Sequence, residues 1–482
     1  MAKGKIESVG DFELLIAIIT TSSGLEVDIS SSIINLTLYE DTTMTSVSGE
    51  IMLQDAFALT NIGPIIGQEY LKLKIRTPSL TEEESTIDFT ENVFLINSIQ
   101  NRAAVGNNVQ VYILNFTTSE LVKNQRTKIS RSLRGSYSDI VKKILTEDLD
   151  CKKDIYIEPT SGNKKIVAPN MRPFDVIKMA SKESTSKLIS YPTVPNYIFY
   201  ETLKGYHFRS LGSLYAQNSV QDYTSFVKGS NIQAGGYIDI ERELANVLDF
   251  EIVQGSNSLV NYTTGVYASD LIVHNIFNKS IQKYSYGIFE NFKKEYHINR
   301  FHGKGNQDDF PIHSHLVVED NGKTAQDFRS RIFLTPISQN GFSDAQHNTA
   351  NNTSPFTPTD PHKWLQPRTS QLVQLEQGLL VNILTHGNTV VSAGDIVKLN
   401  LPYNAAFKTV ENEQNDRFFK GAFLVKRLRH DFDFADKKHK THLTLVKDSL
   451  EESLDGPDDN FEPKPKSSAK IIDTLEELYP RL

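Results

Sequence analysis

The feature that most constrains this chain is a pattern of alternating strands that occurs twice, once near its beginning and once near its end. In the first occurrence Gly67 precedes Leu71-Lys72-Leu73-Lys74-Ile75, and Val93-Phe94-Leu95-Ile96-Asn97-Ser98-Ile99 and Val109-Gln110-Val111-Tyr112-Ile113-Leu114-Asn115-Phe116 follow. In the second, Gly394 precedes Val397-Lys398-Leu399-Asn400-Leu401, and Ala422-Phe423-Leu424-Val425-Lys426-Arg427-Leu428 and Thr441-His442-Leu443-Thr444-Leu445-Val446 follow. Successive side chains of a strand point to opposite faces, so this alternation marks strands with one face buried. Each occurrence reads as the closing part of an antiparallel barrel or sandwich. The glycine stands four residues before Leu71 but three before Val397, and the strand separations differ, as loops allow. The shared series Phe-Leu, then Ile or Val, two variable positions, then Ile or Leu is more than alternation and predicts a structural duplication. A chain carrying two copies of one module can build a ring with twice as many modules as subunits.

With 482 residues, 39% of them hydrophobic, the chain is long enough for about three domains and several cores. Its formal net charge of −8 argues against general nucleic-acid binding, which needs basic surface to displace counterions from phosphates. A surface that DNA passes without being held is compatible with that balance. One cysteine, Cys151, excludes an intrachain disulfide framework. The longest apolar stretch, 12–19, contains Glu13 and is too short to cross a bilayer. No basic segment followed by a cleavable apolar core is present, so neither a signal peptide nor membrane insertion is expected.

Five regions follow along the chain. Residues 1–118 read as one β-domain, with further strands over 12–20, 33–39 and 49–53 and a helical turn between Asp55 and Gly67. Residues 119–215 read as an α/β insertion. Ser136 with Asp139 caps a helix bearing Ile140, Val141, Ile144, Leu145 and Leu149, Pro173 opens a second helix, and a hairpin turns at Leu203-Lys204-Gly205. Residues 216–365 read as a mixed β region that begins with strands such as 248–253. It holds a long polar stretch, 303–362, interrupted at 314–318 and 331–334, which reads as an arm that orders against a neighbour. A helix over 368–377 opens the second β-copy, 366–450. The remainder, 451–482, is an acidic, proline-bearing linker followed by Ile471, Ile472, Leu475, Leu478 and Tyr479 at helical spacing. A frayed terminus is the simple reading; a helix docked on a partner is the expectation taken.

The motifs that could carry chemistry are incomplete. His297 and His302, His313-Ser314-His315 and Glu319 supply metal-ligand residue types, yet no full signature such as HExxH accompanies them, and histidines in a polar loop are commonly solvated. Ser184-Thr185-Ser186-Lys187 fits the SxxK nucleophile spacing without its SDN and KTG companions. The glycines of His302-Gly303-Lys304-Gly305 open no helix, so no phosphate cradle is expected. No catalytic, cofactor-binding or metal-binding residue is therefore assigned, and the chain is not expected to be an enzyme. Arg427 and Arg429 share one face of their strand and read either as its solvated side or as facing an acidic neighbour in an assembly.

The chain resembles the baseplate hub protein of long contractile-tailed bacteriophages. The resemblance rests on the helix over 368–377, the strand Gly378-Leu379-Leu380-Val381-Asn382-Ile383, the turn His386-Gly387-Asn388, the run Gly394-Asp395-Ile396-Val397-Lys398-Leu399, and the strand Phe423 to His430 with its closing partner ending at Val446. It implies a mainly β fold of two tube-like antiparallel β-barrel domains with smaller inserted domains, one of them α/β. It implies a homotrimeric, non-enzymatic virion protein of the tail baseplate, assembled in the host cytoplasm, that joins a threefold central spike to a sixfold tail tube. Its implied partners are the spike, tail tube or tube-initiator proteins, baseplate wedge proteins and the tape measure protein, with DNA passing through unbound. The same fold serves as the hub of phage-like contractile injection systems. A secreted glycan-active or metal-dependent hydrolase is the alternative from another class.

Overall fold

The computed structural model describes residues 9–63, 65–78, 85–105, 109–188, 195–225, 240–255, 257–276, 279–292, 295–298, 323–337, 357, 360–402 and 415–450. Most of the expected polar arm and the whole expected tail helix lie outside the described residues.

The first β-unit comprises β1 (Glu13–Thr20), β2 (Glu26–Asp28), β3 (Ile33–Asp41), β4 (Ser48–Asp55), β5 (Tyr70–Arg76), β6 (Thr86–Val105) and β7 (Val109–Thr118). Their neighbour order is β3-β4-β7-β6-β5-β1-β2, all antiparallel. The apolar faces of these strands meet in one core that includes Ile19, Leu38, Ile51, Leu73, Phe94 and Phe116. A sheet whose one face supplies most of this core, with Leu59 from the helical turn and Phe432 from later in the chain completing it, has wrapped around itself, as the alternation predicts. The expected helical turn is present as Leu59–Ile62.

The insertion comes next, with β8 (Ile129–Gly135), β9 (Ile155–Ile157), β10 (Lys164–Met171), β11 (Tyr197–Thr202) and β12 (Gly205–Ser210). Ser136 accepts the Asp139 amide and caps the helix Tyr137–Lys143, and Pro173 stands at the start of the helix Pro173–Glu183. These helices pack with the β11–β12 hairpin around Ile140, Ile177, Phe199 and Phe208.

The chain then supplies β13 (Ser219–Thr224), β14 (Val247–Gln254), β15 (Ala268–Asn275), β16 (Ser280–Gly287), β17 (Arg331–Ile337), β18 (Leu379–His386), β19 (Ile396–Pro402), β20 (Asn415–Asp433) and β21 (Lys438–Lys447). Strands β15, β16 and β17 form a small sheet of their own. The rest form the second unit in the order β14-β18-β21-β20-β19-β13, so this unit draws two strands from before residue 366.

Residue by residue, the second unit repeats the first. In each a glycine in the left-handed region, Gly67 at φ 88° or Gly394 at φ 89°, starts the turn into β5 or β19. The acid that follows binds its own turn: Glu69 accepts the amides of Ile66 and Gly67, and Asp395 accepts that of Ser392. Its carbonyl then takes the Ile96 or Val425 amide, at 2.9 Å in both units. A β-bulge interrupts β6 between Ile96 and Ser98 and β20 between Val425 and Arg427. Another interrupts β3 between Ile33 and Asn35 and β14 between Val247 and Asp249. Bulges are built-in features that bend a strand at a chosen place, and two of them at matching places mark one module used twice. The copies also differ: β14 has a second bulge, between Ile252 and Gln254, that β3 lacks, the second unit has no strand matching β2 among the described residues, and β13 pairs with β19 in parallel, whereas β1 meets β5 antiparallel. Parallel neighbours need a long crossover, and here the chain between residues 225 and 395 provides it.

The helix expected over 368–377 begins earlier, as Pro361–Gln377, and runs through Pro367. Its Arg368 donates to the carbonyls of Pro195 and Tyr197, and its Gln366 to that of Ser269. The helix thus fastens the α/β insertion and the small sheet to the second unit.

Candidate assembly surface

The two units are joined by direct pairing of β3 with the outer half of β20, antiparallel, from Asp41 opposite Arg427 to Asn35 opposite Asp433. This seam makes all their strands one 13-stranded sheet. On its core side lies Phe432, 0% exposed, which packs edge-on against Phe12. There too His430 and His439 meet nitrogen to nitrogen at 3.0 Å, fully buried. Burial pushes the His430 imidazole down to about 3 and holds His439 well below the usual range, so both rings are neutral at neutral pH.

On the other side the seam carries a polar face. Arg427 donates to Asp41 at 2.7 Å, Arg429 to Asp431 at 2.5 Å, and Thr37 to Asp431 at 3.1 Å. Burial alone would raise the Asp431 carboxyl; hydrogen bonds from His442 and Arg429 hold it below its ordinary value. A groove of about 580 Å³ runs along this face between Asp41, Asp249, Asn382, Arg427 and Thr444. Alternation places Glu50, opposite Thr37, on the same face. Acids and bases are therefore interleaved here and largely paired. Of the two readings for Arg427 and Arg429, the structure realises a solvent-facing side whose acidic partners lie on the same sheet.

The tip of the β11–β12 hairpin is wedged beside the seam. Glu40, on β3, is 2% exposed and accepts the Leu203 amide at 2.8 Å and the Ala393 amide at 2.7 Å, which ties the first unit, the insertion and the second unit at one carboxylate. Burial pushes its pKa up to about 7. Lys204 donates to the Val390 carbonyl at 2.7 Å. Glu201 accepts the Val47 amide and the Thr118 hydroxyl, and Lys153 sits between Glu201 at 2.6 Å and Glu120 at 2.7 Å, each side chain nearly fully buried. The two acids outweigh the desolvation of Lys153, whose pKa is raised, and keep it charged.

The residues considered for chemistry fall elsewhere. His297 is buried, its Nδ1 2.9 Å from Asp448 and its Nε2 3.1 Å from the Phe292 carbonyl. His302, His313, His315 and Glu319 lie outside the described residues, and among the described residues no group of three His, Cys, Asp or Glu is placed to hold a metal ion. Ser184 is fully buried and donates to the Ala180 carbonyl, while Lys187 is exposed, so the SxxK spacing brings no nucleophile to a base. Two features of the junction were missed in the sequence. Glu40 follows Leu36 and Leu38 at the same alternation, an acid at a core position, and Glu201 sits in a wholly buried strand.

What the fold defines is a duplicated, self-wrapping β-module joined side by side through strand edges. No protein-family model matches the chain, and no curated protein matches it in sequence. Among solved structures it is similar to the tail protein from Neisseria meningitidis MC58, at 9% identity over 91% of this chain and 98% of that one, with a TM-score of 0.50. It is also matched to the 43 kDa tail protein of prophage MuSo2 from Shewanella oneidensis, at 7% identity over 90% of this chain and 98% of that one, TM-score 0.43. A type VI secretion component from E. coli matches at 8% identity over 92% and 79%, TM-score 0.41. The fold assignment rests on the first. The chain has the fold of that tail protein, mainly β, as the resemblance to baseplate hubs implied.

Proposed function

We propose that this chain is a structural hub of a contractile-tail baseplate, three copies of which close into a ring of six like modules between a threefold spike and a sixfold tail tube. The observation that carries the reading is the seam itself: two copies of one module meet through β3 and β20 inside one chain. A contact between unlike edges of like modules is heterologous, and it makes a ring where its rotation closes after a whole number of modules, six in this reading. Three chains of two modules present threefold symmetry to one neighbour and near-sixfold symmetry to another, which is what an adaptor between such partners needs.

In this ring the polar face bordering the seam lines the channel and the insertion braces the outside. Interleaved charges such as Asp41 with Arg427 and Asp431 with Arg429 leave no continuous basic track to hold phosphates, so DNA passes with little retention. The spike, tube, wedge and tape measure proteins are the partners this role implies, with the expected polar arm and tail helix as further contacts. The protein acts by shape and symmetry, in the virion tail, and not by catalysis. Electron microscopy of the purified full-length protein tests the reading. Six lobes around a central channel support it, and compact particles without a channel at every concentration contradict it.

A further inference from the structure

The internal seam also identifies the two edges left over. In the first unit β3 uses one edge for β4 and the other for β20. Its counterpart in the second unit is β14, because β14 pairs with β18 as β3 pairs with β4 and carries the matching bulge. Among the described residues β14 has β18 as its only strand neighbour. The counterpart of the outer half of β20 is the outer half of β6, beyond the matching bulge, and among the described residues that half is paired with β7 alone. The chain thus holds one complete joint and the two complementary halves of a second.

Side-chain exposure fits two half-joints. Leu38 is 0% exposed beneath the seam, whereas Ile252, its counterpart on β14, is 44% exposed, and Val105 at the end of β6 is 56% exposed. Charge is complementary, with Asp249 and Glu251 on one edge and Arg102 on the other. Unpaired edges invite strand addition unless they are blocked, and neither edge carries a proline.

We infer that β14 of one chain adds antiparallel to the outer half of β6 of a second copy, in the register that repeats the β3–β20 seam. Transferring that register through the matched strands, with the second bulge of β14 between Ile252 and Gln254 counted, places Gln254 opposite Gln100 and Glu251 opposite Ala103. The bulge of β6 between Gln100 and Ala103, where Asn101 takes φ 52°, then faces the bulge of β14 between Ile252 and Gln254, and the two bulges together fix the register. The inference rests on the ring reading and adds to it the edges and the residue pairs.

The test is cysteine cross-linking in the full-length chain, whose only native cysteine, Cys151, is buried. Glu251→Cys with Ala103→Cys tests the register, and Gln254→Cys with Gln100→Cys tests it on the other side of the bulges. Thr37→Cys with Asp431→Cys is the reference, because those residues already touch within one chain. Glu251→Cys with Ala104→Cys is slipped by one residue, which turns the two thiols to opposite faces. The expected result is covalent two-chain and three-chain species from the first two pairs, an intrachain bridge in the reference, and no cross-link above the parent chain from the slipped pair. A trimer by light scattering in which the reference oxidises but both test pairs stay separate overturns the register and leaves the ring standing. A chain that stays monomeric at every concentration overturns both.

Discussion

The carboxylate of Glu40 accepts the backbone N–H of Leu203 at 2.8 Å, across the boundary between the first β-unit and the α/β insertion. Its other oxygen accepts from Ala393 in the second unit at 2.7 Å, so a single buried acid is shared by three parts of the fold. With its pKa pushed up to about 7 by burial, the folded protein binds this proton more tightly than the unfolded chain. The group's contribution is therefore most favourable below its unfolded pKa and is lost as pH rises from about 4.5 to 7, on the order of 3 kcal/mol in all. Glu40→Gln removes that slope and leaves one backbone amide without its acceptor. Thermal unfolding of both proteins across pH 5 to 8 checks this, the variant being less stable than the parent at pH 5 by a margin that shrinks as the pH rises to 8.

The buried histidine pair acts in the opposite direction. His430 is held neutral, with its pKa near 3, so the unfolded chain gains a proton that the folded one refuses as pH falls below about 6.5. Stability from this site is full above that pH and is lost towards pH 3. Replacing Glu40 by Gln should therefore uncover a monotonic loss on acidification, which urea titrations at pH 7, 6, 5 and 4 measure. A Glu40→Gln protein that gains stability over that range contradicts the assignment.

Lys153 holds two buried acids at once, Glu120 and Glu201. Lys153→Met leaves both carboxylates without their cation and should cost about 3 to 5 kcal/mol. Adding Glu120→Gln and Glu201→Gln should recover part of the loss, since the uncompensated charges are then gone. Denaturant unfolding of the single and triple variants checks the order.

Gly394 combines a left-handed backbone with contact against the Tyr200 ring, whose hydroxyl end a Cβ would strike. Gly394→Ala should cost about 1 to 3 kcal/mol from strain plus the clash. Gly24, at φ 82° with open space around it, supplies the strain alone, and Gly24→Ala should cost about 1 kcal/mol. Differential scanning calorimetry of the two variants separates the terms.

Much of the β-scaffold was legible because alternation is a local property: β5, β6 and β7 and their partners β19, β20 and β21 follow directly from it. So do the helix start at Ser136, whose side chain caps it, and the one at Pro173, whose missing N–H costs nothing there. The long helix was read short because a proline normally interrupts a helix, yet Pro361–Gln377 continues through Pro367. The small sheet escaped notice because β15 pairs in parallel with β17, far along the chain. Lys426 is a charged residue in a buried position, because it continues the face of Ala422 and Leu424 that the helix Pro361–Gln377 covers, where its ammonium reaches Glu376. The junction at Glu40 showed only as an acid in phase with leucines, and the pairing of β14 has no signal within one chain because its proposed partner is another chain.

The central claim is that the duplicated module closes a ring of three chains. The mass of the full-length protein in solution, measured by light scattering over a range of concentrations, tests it most directly. The account predicts a particle of three times the 54.3 kDa chain mass, unchanged on dilution to the micromolar range. A particle of one chain mass at every concentration would contradict it.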